Sequence, residues 1–284
     1  MHFTKMHGQG NDFVVVDNDL GDRFPALSER ICDRHMGVGA DGLIAVLPSD
    51  TCDFKMRIFN ADGSEPEMCG NGVRRAVQFF LDSKQPAGLD TDDGGRLKVS
   101  VETLAGVRRI SADFSGGKTG DMTVDMGEPI LDPRDIPVNL DTKVAVAVPV
   151  ETTDGAYTVT CVSMGNPHAV IFTDEDPDRI DISLPGPAIE NHPVFPNRTN
   201  VEFAKVLGPG EIKMRVWERG VGETLACGTG ACATLVAASL NSLSGKSAVL
   251  HLAGGDLRIE WREDGRVYMS GPAAAVFEGE FFGG

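Results

Sequence analysis

The chain has 284 residues and a formal net charge of −16, with hydrophobic residues at 41% and charged residues at 24%. This describes a globular protein with material for a real core, in one large domain or two ordinary ones. The acidic balance disfavours nucleic-acid binding and docking on an anionic membrane, and no apolar run reaches the roughly 18 residues of a membrane span.

In chain order, Met1-His2-Phe3-Thr4-Lys5 lacks the apolar core of a signal peptide, so a cytoplasmic protein is expected. Strand-like runs follow at 13–16, 42–47, 55–59, 144–150, 157–162, 168–172, 201–206 and 213–217, punctuated by Gly, Pro and Asp. Helical patterns fall at 27–36, 72–81 and 231–243, and 84–96 reads as a surface loop. Many strands with few helices indicate an α+β or mixed α/β fold. The pairs Arg74-Arg75 and Arg108-Arg109 read as solvated surface, and the final Gly283-Gly284 is expected to lack order.

An internal repeat is the most informative feature. Lys55-Met56-Arg57-Ile58-Phe59 recurs as Lys213-Met214-Arg215-Val216-Trp217. At the same offset Glu65 matches Glu223, Cys69 matches Cys227, Gly70 matches Gly228 and Gly72 matches Gly230, and both copies enter an apolar helix. Gly10-Asn11 and Gly165-Asn166 each precede an apolar run. The spacing is far beyond solenoid units and predicts two homologous domains facing each other across a pseudo-twofold axis, with a ligand site at their interface. Glu65 and Glu223 read as a symmetric structural pair near the loops.

The repeated Cys-Gly-x-Gly opens a helix. First-turn N–H groups have no intrahelical partner, and the helix dipole places partial positive charge there. A cysteine so placed is expected to have a lowered pKa, and the glycines let backbone N–H groups converge on an anion. One copy describes a buried cysteine at a tight turn equally well; two copies in a longer repeat point to function. Two thiols flanking one α-carbon, with N–H dipoles around its carboxylate, would remove a proton from one face and supply one to the other. Nothing in the sequence calls for pyridoxal phosphate or another cofactor. Cys32, Cys52, Cys161 and Cys232 read as core, and the cysteine spacing suits neither zinc nor a disulfide scaffold. The formal G-x-G-x-x-G from Gly37 to Gly42 follows a helical stretch rather than a strand, so a dinucleotide site is not expected.

These residues resemble the diaminopimelate epimerase family over nearly the whole chain. The resemblance is carried by the stretch from Lys5 through Gly8-Gln9-Gly10-Asn11-Asp12-Phe13, by Phe59-Asn60-Ala61-Asp62-Gly63-Ser64 leading to Cys69-Gly70-Asn71-Gly72, and by Gly165-Asn166-Pro167-His168. It continues in Arg198-Thr199-Asn200-Val201 and in Trp217-Glu218-Arg219-Gly220-Val221-Gly222-Glu223-Thr224 leading to Ala226-Cys227-Gly228-Thr229-Gly230. It implies cofactor-free conversion of LL-diaminopimelate to the meso form, in lysine and peptidoglycan-precursor synthesis. Cys69 and Cys227 would be proton donor and acceptor, and the backbone N–H groups of Gly70, Asn71, Gly228 and Thr229 would hold the reacting carboxylate. Asn11 would contact the substrate near the reacting centre; Asn60, Asn166, Asn200 and Arg219 would bind the far end; Glu218 would accept from an ammonium. His168 and Glu218 would tune the cysteine pKa values.

The resemblance also implies two pseudo-symmetric mixed α/β domains, each a sheet wrapped around a central helix, with the last strand returning to the first domain. The expected division is 1–124 with 273–284, carrying Cys69, and 125–272, carrying Cys227. A homodimer is implied as well, with domain closure over the substrate. Two positions depart from the family: Gly42 stands where some members have a substrate-reaching glutamine, and Phe277 where some have a tyrosine at the dimer contact. Two rival readings are a proline or hydroxyproline racemase, which shares the paired-cysteine logic but needs no distal ammonium and carboxylate grip, and a thiol redox switch, for which no Cys-x-x-Cys speaks.

Overall fold

The computed structural model describes residues 1–66, 70–153 and 155–282, and of Asn71 the backbone alone. Cys69 and the Gly283-Gly284 tail therefore lie outside the described residues. The chain divides into two compact units, Met1–Asp125 with Ser270–Gly284, and Met126–Met269.

The first unit opens with a hairpin of β1 (His2–Gly8) and β2 (Asn11–Val16), closed by Gln9 and Gly10 at φ 53° and 80°. Positive φ at both central residues matches the twist of the flanking strands. After α1 (Phe24–Ile31), β3 (Gly42–Leu47) lies parallel to β2, and β4 (Phe54–Asn60) returns antiparallel to β3. Helix α2 (Gly70–Lys84) then leads to β5 (Leu97–Thr103), which runs parallel to β4 and is followed by β6 (Gly106–Ser115) and β7 (Lys118–Gly127), each antiparallel to the strand before.

The second unit repeats this order. Strands β8 (Val148–Thr152), β9 (Gly155–Ser163) and β10 (Pro167–Phe172) form successive antiparallel pairs. Beyond α3 (Pro185–Glu190), β11 (Asn200–Gly208) lies parallel to β10, and β12 (Glu211–Glu218) is antiparallel to β11. A short β13 (Gly222–Thr224) precedes α4 (Gly228–Leu240), after which β14 (Ser247–Leu252) runs parallel to β12 and pairs antiparallel with β15 (Gly255–Trp261). The chain returns to the first unit within β16 (Val267–Gly271), and β17 (Ala274–Glu280) pairs antiparallel with β1. The register makes the correspondence exact enough to name: Phe13 pairs with Gly42 in the first unit, and His168 with Asn200 in the second. The repeated residues also make the same ion pair twice, Arg57–Glu65 at 2.8 Å and Arg215–Glu223 at 2.6 Å.

Helix α4 is apolar from Ala231 to Ala238 except for Thr234, and every residue of that run is buried. Such a helix is stable only when wrapped on all sides, and strands β9 to β12, β14 and β15 all pack on it. Helix α2 is enclosed in the same way by β1 to β5. That enclosure overturns the surface reading of Arg74 and Arg75, which are fully buried. Arg74 Nη2 donates to Gln9 Oε1 at 3.0 Å, and the Arg75 guanidinium occupies the space that a Cβ at Gly8 would take. Arg108 is half-buried on β6 and Arg109 exposed.

Other expectations change at the ends of elements. The helix expected over 27–36 begins at Phe24 and stops at Ile31, because the Asp33 carboxylate accepts from the N–H groups of His35 and Met36 and turns the chain. The strand expected at 144–150 begins only at Val148, one residue after Ala147 at φ 50°. Cys52 is not core: it is half-buried in a turn whose N–H bonds to Ser49 Oγ. Cys32, Cys161 and Cys232 are buried. No helix among the described residues is long and apolar enough to cross a membrane.

Candidate active site

Cys227 is the residue immediately before α4, in extended conformation at φ −127° and ψ 111°, and it is 6% exposed. The thiol therefore stands at the helix start, as the motif predicts. Its Sγ lies 3.4 Å from Thr229 Oγ1. Its pKa, however, is pushed well above the usual thiol value of 9.0, chiefly by burial and then by the Glu218 and Glu202 carboxylates. The hydrogen bonds from Thr229 and the Gly230 N–H work in the opposite direction. Removing a thiolate from water beside two acids works against the helix-start effect, so the shift runs opposite to the lowered pKa expected from position alone.

Glu218 ends β12, and its Oε1 accepts from Thr224 Oγ1 at 2.5 Å. Burial pushes its pKa up, while the Thr224 bond and the nearby His168 oppose the rise. His168 is the second residue of β10 and lies in the core: Nδ1 is 2.6 Å from Glu202 Oε1 and Nε2 is 3.0 Å from Asn166 Oδ1. Helix α4 has a glycine at position 230 for a specific reason, since an added Cβ would lie 2.7 Å from Glu202 Oε1 and 3.4 Å from Cys227 Sγ.

Asn200 is 3% exposed and its amide is spent on backbone: Oδ1 accepts from the Arg219 N–H at 2.9 Å, and Nδ2 donates to the Pro167 carbonyl at 2.8 Å. It ties the Arg219 turn to the Asn166-Pro167-His168 turn. The buried Glu190 carboxylate pins the same segment, accepting from Trp217 Nε1 and Gly220 N–H at 2.8 Å each and from Arg198 Nη1 at 3.2 Å. Arg219 is half-buried, and its Nη1 donates to the Asn197 carbonyl at 3.1 Å. The second unit thus places Glu218, Glu202 and Thr229 beside Cys227 at one helix start, with His168 and Asn166 reached through Glu202, while Asn200 and Arg219 are joined to the neighbouring Pro167 and Asn197 backbone.

In the first unit, Gly70 opens α2 and is buried. The side chain of Asn71 lies outside the described residues, as does Cys69. Asn11 donates through Nδ2 to Asp41 Oδ2 at 2.9 Å, within a network in which Arg34 bridges Asp12 and Asp41 at 2.8 Å each. Asn60 is exposed at the end of β4, and its Nδ2 donates to Ser64 Oγ at 2.9 Å. Gly42 leaves no room for a side chain, since a Cβ would meet the Phe59 carbonyl oxygen at 2.5 Å and the Phe13 ring at 3.0 Å. Phe277 is half exposed on β17 and makes an edge contact with Phe3, centroids 5.9 Å apart.

Three supporting residues escaped the sequence reading. Glu202 was signalled only by a lone acid inside the apolar run 201–206. Glu190 and Asp41 had no local signal, because their partners are distant in the chain. Among the described residues, no group of three or more His, Cys, Asp or Glu side chains is arranged to hold a metal ion.

Comparison with known proteins bears on the fold and the family. Solved structures share the fold at low identity: a probable proline racemase from Agrobacterium radiobacter aligns with a TM-score of 0.71 at 14% identity, over 99% of this chain and 92% of that one. A phenazine biosynthesis protein of the PhzF family from Bacillus anthracis aligns at 0.70 and 14%, over 99% of each chain. Sequence relatives are far closer. A diaminopimelate epimerase from Pelotomaculum thermopropionicum is 51% identical over 99% of both chains, and one from Methanococcus maripaludis is 48% identical over 99% of both. The profile described as diaminopimelate epimerase matches residues 3–131 and 160–276. A match that takes in both repeats and both helix starts, with relatives near half identity end to end, makes this chain a member of the diaminopimelate epimerase family.

Proposed function

We propose that the enzyme interconverts LL- and meso-diaminopimelate by direct proton transfer, with Cys69 and Cys227 as the two acid–base groups. The observation that carries the reading is Cys227 at the start of α4, buried beside the Glu218 and Glu202 carboxylates. A protonated thiol is the donor half of a two-base inversion; the other cysteine takes the proton from the opposite face, and the roles exchange in the reverse reaction. First-turn N–H groups at Gly228 and Thr229, and those at Gly70 and Asn71, receive the carboxylate as charge develops beside it. Asn11 contacts the substrate near the reacting carbon. At the far end Asn60, Asn166 and Arg219 meet the second amino-acid head, with Asn200 holding the Arg219 turn, and Glu218 accepts from an ammonium. Arg219 supplies the planar fork that suits a carboxylate.

The same reading takes the working form as a homodimer in the cytoplasm, with the half-exposed Phe277 on β17 at the contact. Light scattering across a dilution series tests the dimer. The decisive experiment for the chemistry is solvent-deuterium incorporation at the α-carbon of diaminopimelate, with no cofactor added. Exchange accompanied by LL-to-meso conversion is the expected result. Exchange of proline or hydroxyproline in its place would favour the racemase alternative; no exchange with any of these, together with a reversible loss of two thiols on mild oxidation, would favour the redox one.

A further inference from the structure

One carboxylate on the α4 side of the second unit has no place in the reading above. Glu202 lies on β11 with 0% exposure, and its register partners are Val170 on β10 and Val216 on β12. Its Oε1 is 2.6 Å from His168 Nδ1, and its Oε2 has no hydrogen-bond partner among the described residues. An acid so placed is costly to bury, and packing alone would favour an apolar residue. The other titratable groups around it are Cys161 on β9, Glu218 at the end of β12, and Cys227 at the start of α4.

We propose that Glu202 is a positioning residue that fixes His168 with its hydrogen on Nδ1 and so directs Nε2 towards Asn166, next to Glu218 and Cys227. A carboxylate oxygen accepts, so the ring nitrogen facing it carries the hydrogen. The other nitrogen lies 3.0 Å from Asn166 Oδ1; with Nε2 left as an acceptor, the Asn166 amide turns its Nδ2 to the ring and donates, which ends a line running from buried carboxylate through imidazole to a substrate-recognition amide. The contact of Glu202 with the α4 first turn at Gly230 keeps that line against the helix start that holds Cys227. The kinetic part of this assignment rests on the proposed epimerase function; the state of the ring does not.

The test is nitrogen-15 NMR of the histidine rings in the full chain, paired with steady-state kinetics on diaminopimelate. In the wild type the His168 signal should show hydrogen on Nδ1. In Glu202→Gln, whose amide offers a donor as well as an acceptor, that preference should be lost, and kcat should fall about 10- to 100-fold with little change in KM. Glu202→Asp, which keeps the carboxylate, should retain the Nδ1 hydrogen and recover part of kcat. A wild-type ring with bare Nδ1 overturns the proposal whether or not the variants fold. So does a Glu202→Gln enzyme with unchanged ring signal and kcat that merely melts earlier, since that is a packing role alone. Wild-type protein inert towards diaminopimelate, yet with hydrogen on Nδ1, would refute the proposed function and leave the ring assignment standing.

Discussion

The oxygen Oε1 of Glu202 stands 2.7 Å from where a Cβ on Gly230 would be, so the carboxylate and the first turn of α4 share one space. Real Cβ atoms do not approach oxygen so closely, and the Cys227 sulfur at 3.4 Å closes the other side. Gly230→Ala should therefore cost about 1–3 kcal/mol, as overpacking does, and should displace the thiol and lower turnover at least about tenfold, a shift of one RT ln 10. Urea denaturation and initial rates measure the two effects; wild-type values for both would contradict the packing described here.

Replacing Cys227 or Cys69 by serine should reduce epimerisation in both directions by about 10²–10⁴-fold, the usual worth of a positioned acid or base. A hydroxyl is too weak an acid, and its anion too unstable, to take either role. For Cys227→Ser the fold should persist, because the residue precedes α4 rather than filling its centre. Following α-proton exchange separately from inversion distinguishes loss of one base from general inactivation.

Glu190 offers a test of recognition rather than chemistry. Glu190→Ala strands the Trp217 indole N–H and the Gly220 amide, each about 1–3 kcal/mol if left without a partner. The turn carrying Glu218 and Arg219 should loosen, raising KM more than it lowers kcat. A variant with unchanged KM for diaminopimelate and unchanged melting temperature would show that this turn does not need the anchor.

Stability should decline in alkali because of buried thiols. Burial pushes Cys161 up to about 12, with Glu202 adding to the rise, and pushes Cys227 well above its ordinary value for the causes already given. In the unfolded chain both ionise near 9.0. Above that pH the folded protein holds protons that the unfolded chain has released, so stability falls as pH rises, from about 9 towards about 12 for Cys161. Below 9 the two thiols contribute no slope. Cys161→Ala should flatten the decline in melting temperature between pH 8 and pH 10.5 by up to one proton's share; an identical slope in the variant would count against this account.

The fold was legible where sequence and burial coincide. Runs buried on both faces, such as 13–16, 42–47 and 168–172, stand out as apolar segments and are strands. Strands β5, β14 and β15 escaped because their burial alternates, with one face turned towards solvent. The repeat revealed the duplicated architecture, down to the Arg57–Glu65 and Arg215–Glu223 pairs. The proton affinity of Cys227 was not legible, because it depends on Glu202 and Glu218, which only strand pairing brings to the helix start. Arg74 and Arg75 misled for a similar reason: a charged pair looks solvated until a sheet is known to close over it.

The matched connectivity of the two units makes their differences readable position by position. Where the second unit places His168, the strand register of the first unit places Phe13; where the second has Asn200, the first has Gly42; where the second has Glu202, the first has Ile44. At these positions one unit thus has an apolar lining along its sheet while the other has a polar and ionisable one. A shared backbone symmetry does not oblige equal chemistry: under the proposed two-cysteine mechanism, the forward and reverse half-reactions need not lose their protons with the same ease.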